Sequence, residues 1–544
     1  MKMMTALALV LASAPAAYAA GPHDNESFIE QVGSKNNATV SQTGGNNNQA
    51  TFQTGKSNSV LTTQTGAKAK RTNNSADIQI GNENRATISQ KKGNNNQGSA
   101  QIGEFNQLTS TQTGGKANQT NNSANTQIGD ANSATIIQKK GDNNQGTLQV
   151  GETNGVLSQQ IGGIANQINN SSNVQIGDAN TASIWQKNGN NNQDTFQAGS
   201  RNGVITSQVS KLATGMNNSG NVQVGQDNSA TTTQTNSAAN PQNTAATQNN
   251  SFTAQFGSNS ATVTQTGGRN TQGTVQAGIG DFAFTTQSGK SVAGANNSSA
   301  GQFGDGNFAT TNQKSADFSE FGGLVFNNGG SNTSNSLQFG TNNTVVTNQT
   351  SVAGSAGLGA INTSATMQAG DANTAAVTQG GHIFNNGVAA DQTNASLVGQ
   401  VGTENNATVS QKNGANSQAT FQVGFGNTAM IGQKTQAGGT GDGANNALTT
   451  QVGVKNKATV AQSMAVPLAL GDNSSFITQV GGSNVVNATQ STGQQAMAGN
   501  NTQVAMQYGI GNSVNVTQAT GANVANTSFT AQFGSHNTAV VSQK

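Results

Sequence analysis

The side chains whose type and spacing recur in this sequence are amides, and amide chemistry is hydrogen bonding in two directions at once. Asn25, Gln31, Asn36, Gln42, Asn47, Gln53, Asn58 and Gln64 open a cycle of Asn-x5-Gln-x4. The same frame returns at Asn73 to Gln112, Asn121 to Gln160 and Asn169 to Gln208. Each primary amide carries two donors and an oxygen with two lone pairs, so identical copies stacked above one another form a continuous ladder. Groups suited to catalysis are not gathered in this way. His23, His382 and His536 lie far apart along the repeat without periodic carboxylate partners, and the charged residues fall mainly between amide segments. Acid–base chemistry needs such groups converging in a groove. The chain has no cysteine and no histidine cluster of the kind that holds a transition metal. The expectation is no enzymatic activity, with no catalytic residue, cofactor, metal or small-molecule substrate.

Strands and turns account for the cycle. Asn-x5-Gln is seven residues long, which suits a strand, and the residues after Gln are turn-like. The first turn of each pair carries Gln-x-Gly, as in Gln31-Val32-Gly33 and Gln79-Ile80-Gly81. Gly129, Gly177, Gly402 and Gly534 occupy the same place, where glycine adopts backbone angles that other residues resist. Strand, turn, strand, turn takes 22 residues, and fixed self-similarity of this kind marks a stacked architecture. The expected fold is all-β: a solenoid of about twenty 22-residue coils, with two facing parallel sheets in a cross-β arrangement. Its ladders continue through Asn394, Gln400, Asn405 and Gln411 to Asn526, Gln532, Asn537 and Gln543. The residue six before each ladder Gln is Asn, replaced only at Asp281.

Alternation assigns the first, third, fifth and seventh positions of each strand to the core. In the second strands this places Ala38 with Val40, Ala86 with Ile88, Ala134 with Ile136 and Ala182 with Ile184 inside. One strand class departs from the pattern. Asp77, Asn125, Asn173 and Asn221 hold the nominally inward fifth position, while Ile78, Val174 and Val222 fall outward. Either those strands shift phase or a further polar ladder is present.

Five segments are expected: a signal peptide over 1–19, a short segment over 20–24, and a regular repeat over 25–234. A linker over 235–248 and a less regular repeat over 249–544 complete the chain. Gln31, Gln79, Gln127, Gln175 and Gln223 are spaced by 48, which is two coils plus a four-residue turn extension. The later half carries inserts such as Lys314 to Gly330 and Ser351 to Ala360. Lys2, the apolar stretch Ala6 to Ala14 and the small-residue site Ala17-Tyr18-Ala19 predict cleavage after Ala19 and export. Only 32% of the 544 residues are hydrophobic and 8% charged, with a formal net charge of +2. So small a charge does not call for a nucleic-acid partner and leaves little repulsion against self-association.

The repeat Ser/Asn-x5-Gln-x-Gly-x-x-Asn-x-Ala-x3-Gln resembles that of the curlin family, the secreted subunits of bacterial curli. Asn394 to Gln411, and the stretch from Gln31-Val32-Gly33 to Ser41-Gln42, carry the match, which iterates over roughly residues 25 to 543. The resemblance implies a functional amyloid, exported through the periplasm and an outer-membrane secretion channel, started by a nucleator and polymerised at the cell surface. It implies biofilm fibres that serve adhesion and cell aggregation. This chain carries several times the repeats of familiar curlins, and only Ala20 to Asp24 stands between the expected cleavage site and the first strand.

Three further features bear on function. The first and last coils, 31/42 and 532/543, are expected to be open edges that recruit a second copy of the chain. Phe28, Phe52, Trp185, Phe196, Phe421, Phe476 and Phe529 are expected on the outside, able to join fibres or be covered by an insert. Lys91, Lys92, Lys139, Lys140 and Lys187 recur in one turn, and Glu83, Asp130, Asp178 and Asp227 near the opposite one. A basic stripe of this kind is able to touch extracellular DNA or an acidic biofilm polysaccharide, or simply to slow premature aggregation. The competing expectations are a soluble solenoid, such as an ice-binding protein or surface adhesin, and a nucleator or cap for another curlin.

Overall fold

A computed structural model describes residues 25–544 apart from thirteen short stretches: 67–70, 116–118, 164–166, 211–214, 237–246, 290–294, 317–329, 353–359, 383–392, 436–442, 465–470, 493–498 and 521–523. The expected signal peptide, the 20–24 segment and most of the linker and insert residues lie outside the described residues. The chain divides into two compact units, residues 1–236 with 254–257, and residues 237–253 with 258–544.

The first unit is a parallel β-solenoid. Its opening coil consists of strands Asn25–Ser34 and Asn37–Thr43, and the next of Asn46–Lys56 and Ser59–Thr65. First strands pair only with first strands and second with second, in parallel and in register, so Asn25 lies on Asn47, Gln31 on Gln53 and Gln42 on Gln64. Stacked residues are alternately 22 and 26 apart, which yields the 48-residue period. The 26-residue step comes from extra residues between a second strand and the following first strand, as between Ser59–Thr65 and Thr72–Asn82.

The second unit repeats this plan with less regular connections. Its stacked glutamines are separated by steps as short as 22 and as long as 36. Strand Arg269–Gly289 runs through its own turn without a break. The coil spacing is about 26 residues rather than the 22 of the bare repeat. Of the expected inserts, residues 314–316 belong to strand Phe308–Ala316 and residues 351–352 to strand Thr344–Val352. Among the described residues the secondary structure is strand and turn, with no helix.

Burial follows the expected alternation. Ala86, Ile88, Ala134, Ile136, Ala182 and Ile184 are buried. The strands around Asp77 do not shift phase: Asp77, Asn125, Asn173 and Asn221 are all buried at the fifth position. Thr51, Ser99, Thr147 and Thr195 occupy that column in the intervening coils. The first unit therefore has a second, mixed polar column inside it.

The amide ladders, open edges and candidate assembly surfaces

Four amide columns run through the coils. In the first strands of the first unit, Gln31 Nε2 donates to Gln53 Oε1 at 2.5 Å, Gln53 to Gln79 at 2.7 Å and Gln79 to Gln101 at 2.7 Å. In the second strands Gln42 donates to Gln64 and Gln64 to Gln90, both at 2.8 Å. Most of these glutamines also tie the two sheets together through backbone carbonyls. Gln42 Nε2, for example, reaches Glu26 O at 2.8 Å and Asn47 O at 3.1 Å. The asparagine columns point the other way. Asn47 Nδ2 donates back to Asn25 Oδ1 at 2.7 Å, and Asn84 Nδ2 back to Asn58 Oδ1 at 3.2 Å. In the opening coil Asn36 Oδ1 accepts from Asn58 N at 3.1 Å.

The second unit has the same pattern. Gln400 donates to Gln422 at 2.7 Å and Gln411 to Gln433 at 2.8 Å. Asn394 donates back to Asn362 at 2.8 Å and Asn405 to Asn373 at 3.0 Å. In the last coil Gln532 and Gln543 accept from Gln507 and Gln518 at 2.8 and 2.7 Å. Asn526 and Asn537 donate back to Asn501 and Asn512 at 3.2 and 3.0 Å. All sixteen sequence-predicted ladder residues therefore stand in ladders. Buried amides paired at these lengths satisfy groups whose desolvation alone would destabilise the core.

The turn glycines have a specific task. Gly33, Gly81, Gly129, Gly177, Gly402 and Gly534 take φ between +103° and +118°. At Gly33 an added Cβ would run into the carbonyl of Gly55 one coil along. A second left-handed residue follows and is not glycine: Lys35, Glu83, Ala131, Ala179, Glu404 and His536 have φ between +53° and +59°. A side chain is tolerated there because it leaves the stack.

The opening and closing coils differ from the rest in exposure. Ala38 and Val40, inward in the opening coil, are only half-buried, as are Ala539 and Val541 in the closing one, while equivalent residues inside are buried. The two edges offer different chemistry. Gln31 and Gln42 are the first members of columns that donate forward, and Gln532 and Gln543 the last. Their orientation leaves carbonyl oxygens on the opening edge and amide nitrogens on the closing edge. For Asn25 and Asn526 the polarity is reversed.

Sequence reasoning missed an outer ladder. Asn48, Asn74, Asn96, Asn122, Asn144 and Asn170 form a chain of exposed or half-buried amides joined at 2.8–3.3 Å. It edges an open trough of about 900 Å³ on the outer face of the first strands, where Ala50, Ala76, Gly98, Ala124 and Gly146 leave room. The signal was present in the Asn-Asn doublets that begin these strands. Also missed was the column of apolar residues between Gln and Gly, which leaves Val32, Ile80, Ile176, Val224, Val401 and Val452 exposed.

The outward aromatics fall where alternation puts them. Phe28, Trp185, Phe196, Phe421, Phe476 and Phe529 are exposed and Phe52 half-buried. Lys91, Lys92, Lys139, Lys140 and Lys187 are exposed in one turn, and Glu83, Asp130, Asp178 and Asp227 in the other. Asp227 pairs with Arg201 at 2.7 Å. His536 is exposed, while the His23 residue and the His382 side chain lie outside the described residues. No group of three or more His, Cys, Asp or Glu side chains gathers among the described residues.

Two carboxylates are buried in the ladders. Burial pushes the Asp77 carboxyl up to about 6, against hydrogen bonds from Ser99 and Ser75. Burial also pushes the Asp281 carboxyl upward, against hydrogen bonds from Asn307. Comparison with protein-family models gives no match, and neither does comparison with curated proteins.

Proposed function

We propose that this chain is a secreted structural subunit that stacks end to end into curli-like amyloid fibres of a bacterial biofilm matrix. The observation that carries the reading is the pair of open, chemically complementary edges. A second copy placed in register on the closing coil would continue every ladder. Gln532 and Gln543 nitrogens would meet Gln31 and Gln42 oxygens, and Asn25 would donate to Asn526. The same translation sets Phe529 on Phe28, Ala539 on Ala38 and Val541 on Val40. Unpaired strand edges recruit other chains in general, and here the side-chain columns match as well.

Adhesion and cohesion then belong to the outer rows: the exposed aromatics, the outer Asn ladder and the lysine turns. Acidic polysaccharide or extracellular DNA are the partners the lysines suit, through salt-sensitive contacts. Export through a curli-type channel and help from a nucleator are part of the same reading, which rests for them on the repeat's resemblance to curlins. The ice-binding alternative has less behind it. The stacked outward positions Thr39, Leu61, Thr87, Thr109, Thr135, Leu157 and Ser183 mix threonine with leucine, so this column is not a flat threonine row.

Deleting residues 526–544 tests the edge directly. The shortened chain is expected to elongate fibres of the full chain far more slowly in a seeded thioflavin assay. Unchanged elongation would overturn the terminal-coil contact.

A further inference from the structure

Asp281 is the one residue that breaks the asparagine column, and its surroundings show what the break does. In other coils the corresponding Nδ2 donates to the carbonyl of a turn glycine one coil along. Asn84 reaches Gly103 at 2.7 Å, Asn106 reaches Gly129 at 2.6 Å and Asn307 reaches Gly340 at 3.0 Å. Asp281 places an oxygen there instead. Its side chain is 1% exposed. Oδ1 accepts from Asn307 N and Nδ2, both at 3.0 Å, while Oδ2 is buried with no hydrogen-bond partner.

Oδ2 sits where the amide nitrogen sits elsewhere. It lies 3.1 Å from the point a Cβ on Gly278 would occupy, as Asn58 Nδ2 lies 3.3 Å from that point on Gly55. In both coils the next glycine's carbonyl, Gly304 or Gly81, crowds the same point. Two oxygens thus meet where the repeat elsewhere has a donor and an acceptor. A second carboxylate stands beside them, since Asp305 Oδ1 accepts from Ile279 N at 3.0 Å, two residues from Asp281. Gly280 holds a turn position that carries a side chain in many other coils, and its nearest neighbouring atom lies 3.9 Å from an added Cβ. The turn is therefore rich in oxygen around Gly278 and open beside Gly280.

We infer that this turn is a binding site for a hard divalent cation of the calcium class, held by Asp281 Oδ2, the Gly304 carbonyl and the Asp305 carboxylate. Such ions take carboxylate and carbonyl oxygens at about 2.3–2.6 Å and complete their shell with water. A buried carboxylate without a positive partner is costly, and the cation supplies that partner. The site lies wholly in the second unit and does not depend on fibre formation.

Calcium titration of the full mature chain by calorimetry tests it, with D281N as the comparison. Asparagine occupies this position in every other strand of the repeat, so D281N is expected to fold. The wild-type chain is expected to bind one more calcium ion than D281N, and D305N to bind that ion at least tenfold more weakly. Equal calcium binding by wild type and D281N would overturn the assignment, leaving water or a proton at Oδ2. A circular-dichroism spectrum of D281N with undiminished strand signal excludes misfolding as the cause of lost binding.

Discussion

Each unit is built on the same kind of amide ladder, and the two differ in what the ladders enclose. In the first unit the fifth inward position of the first strands is polar in every coil after the opening one, which has Ile29 there, and the apolar core is interrupted. One cluster runs from Val60 to Ile136 and a separate one from Val156 to Ile184. In the second unit Ala300, Val398, Ile477 and Ala505 share that column with Thr274, Ser336, Thr366, Thr420 and Thr449, and a single apolar cluster extends from Ala375 to Val516. The regular unit thus has the more polar interior, and the unit with long irregular connections has the more continuous apolar one. Identical amide columns tolerate both interiors, so the columns set the fold and the inner pairs tune its stability.

Breaking a column should therefore cost both units alike and produce the largest effect. Gln138 accepts from Gln112 and donates to Gln160, Asn122 O and Asn143 O. Gln411 accepts from Gln379 and donates to Gln433 and Ala395 O. Gln138→Ala and Gln411→Ala each strand several buried groups, for an expected loss of about 3–5 kcal/mol. Hydrogen exchange across the neighbouring coils is the measurement. A loss confined to the first unit would mean that the apolar cluster, not the ladder, holds the second.

The next effect belongs to the first unit alone. Asp77 binds its proton more tightly when folded, because its carboxyl is pushed from 3.8 to about 6. Its contribution is therefore most favourable below pH 3.8 and is lost as pH rises through 6, by about 3 kcal/mol in all. Asp77→Asn, which installs the residue found at Asn125, Asn173 and Asn221, should remove that pH dependence and stabilise the unit at pH 7. Denaturation of both proteins at pH 4 and pH 7 measures it. A smaller gain is expected from Asn125→Val, which gives the first unit the residue the second has at Val398. Asn125 Oδ1 is buried without a partner, so the exchange should stabilise by about 1 kcal/mol in urea melts.

Much of this was legible in the sequence because the amide period is stricter than any hydrophobic pattern. Expected strands such as Asn36 to Gln42 lie within a residue of the observed Asn37–Thr43, and the turn glycines have the expected positive φ. The phase around Asp77 was not legible. Alternation is read from apolar residues, and there the apolar Ile78 takes the outer side of the strand, where it is nonetheless buried, while the carboxylate faces in. The ladder through Gln53, Gln79 and Gln101, set by registry, fixes the strand's orientation regardless of what lies between. The opposed directions of the Asn and Gln columns were also hidden, since an amide's orientation depends on carbonyls supplied by the other sheet. The consequence of Asp281 needed the position of Gly304, which only the stacked coil provides.

The central claim is that the solenoid's open edges continue the same stack from one molecule to the next. Fibre diffraction from the purified chain after incubation, with electron micrographs of the same sample, tests it most directly. The expected result is unbranched fibres with a meridional reflection at about 4.7–4.8 Å, the strand spacing continued along the fibre axis. A sample that stays monomeric under these conditions would contradict the account.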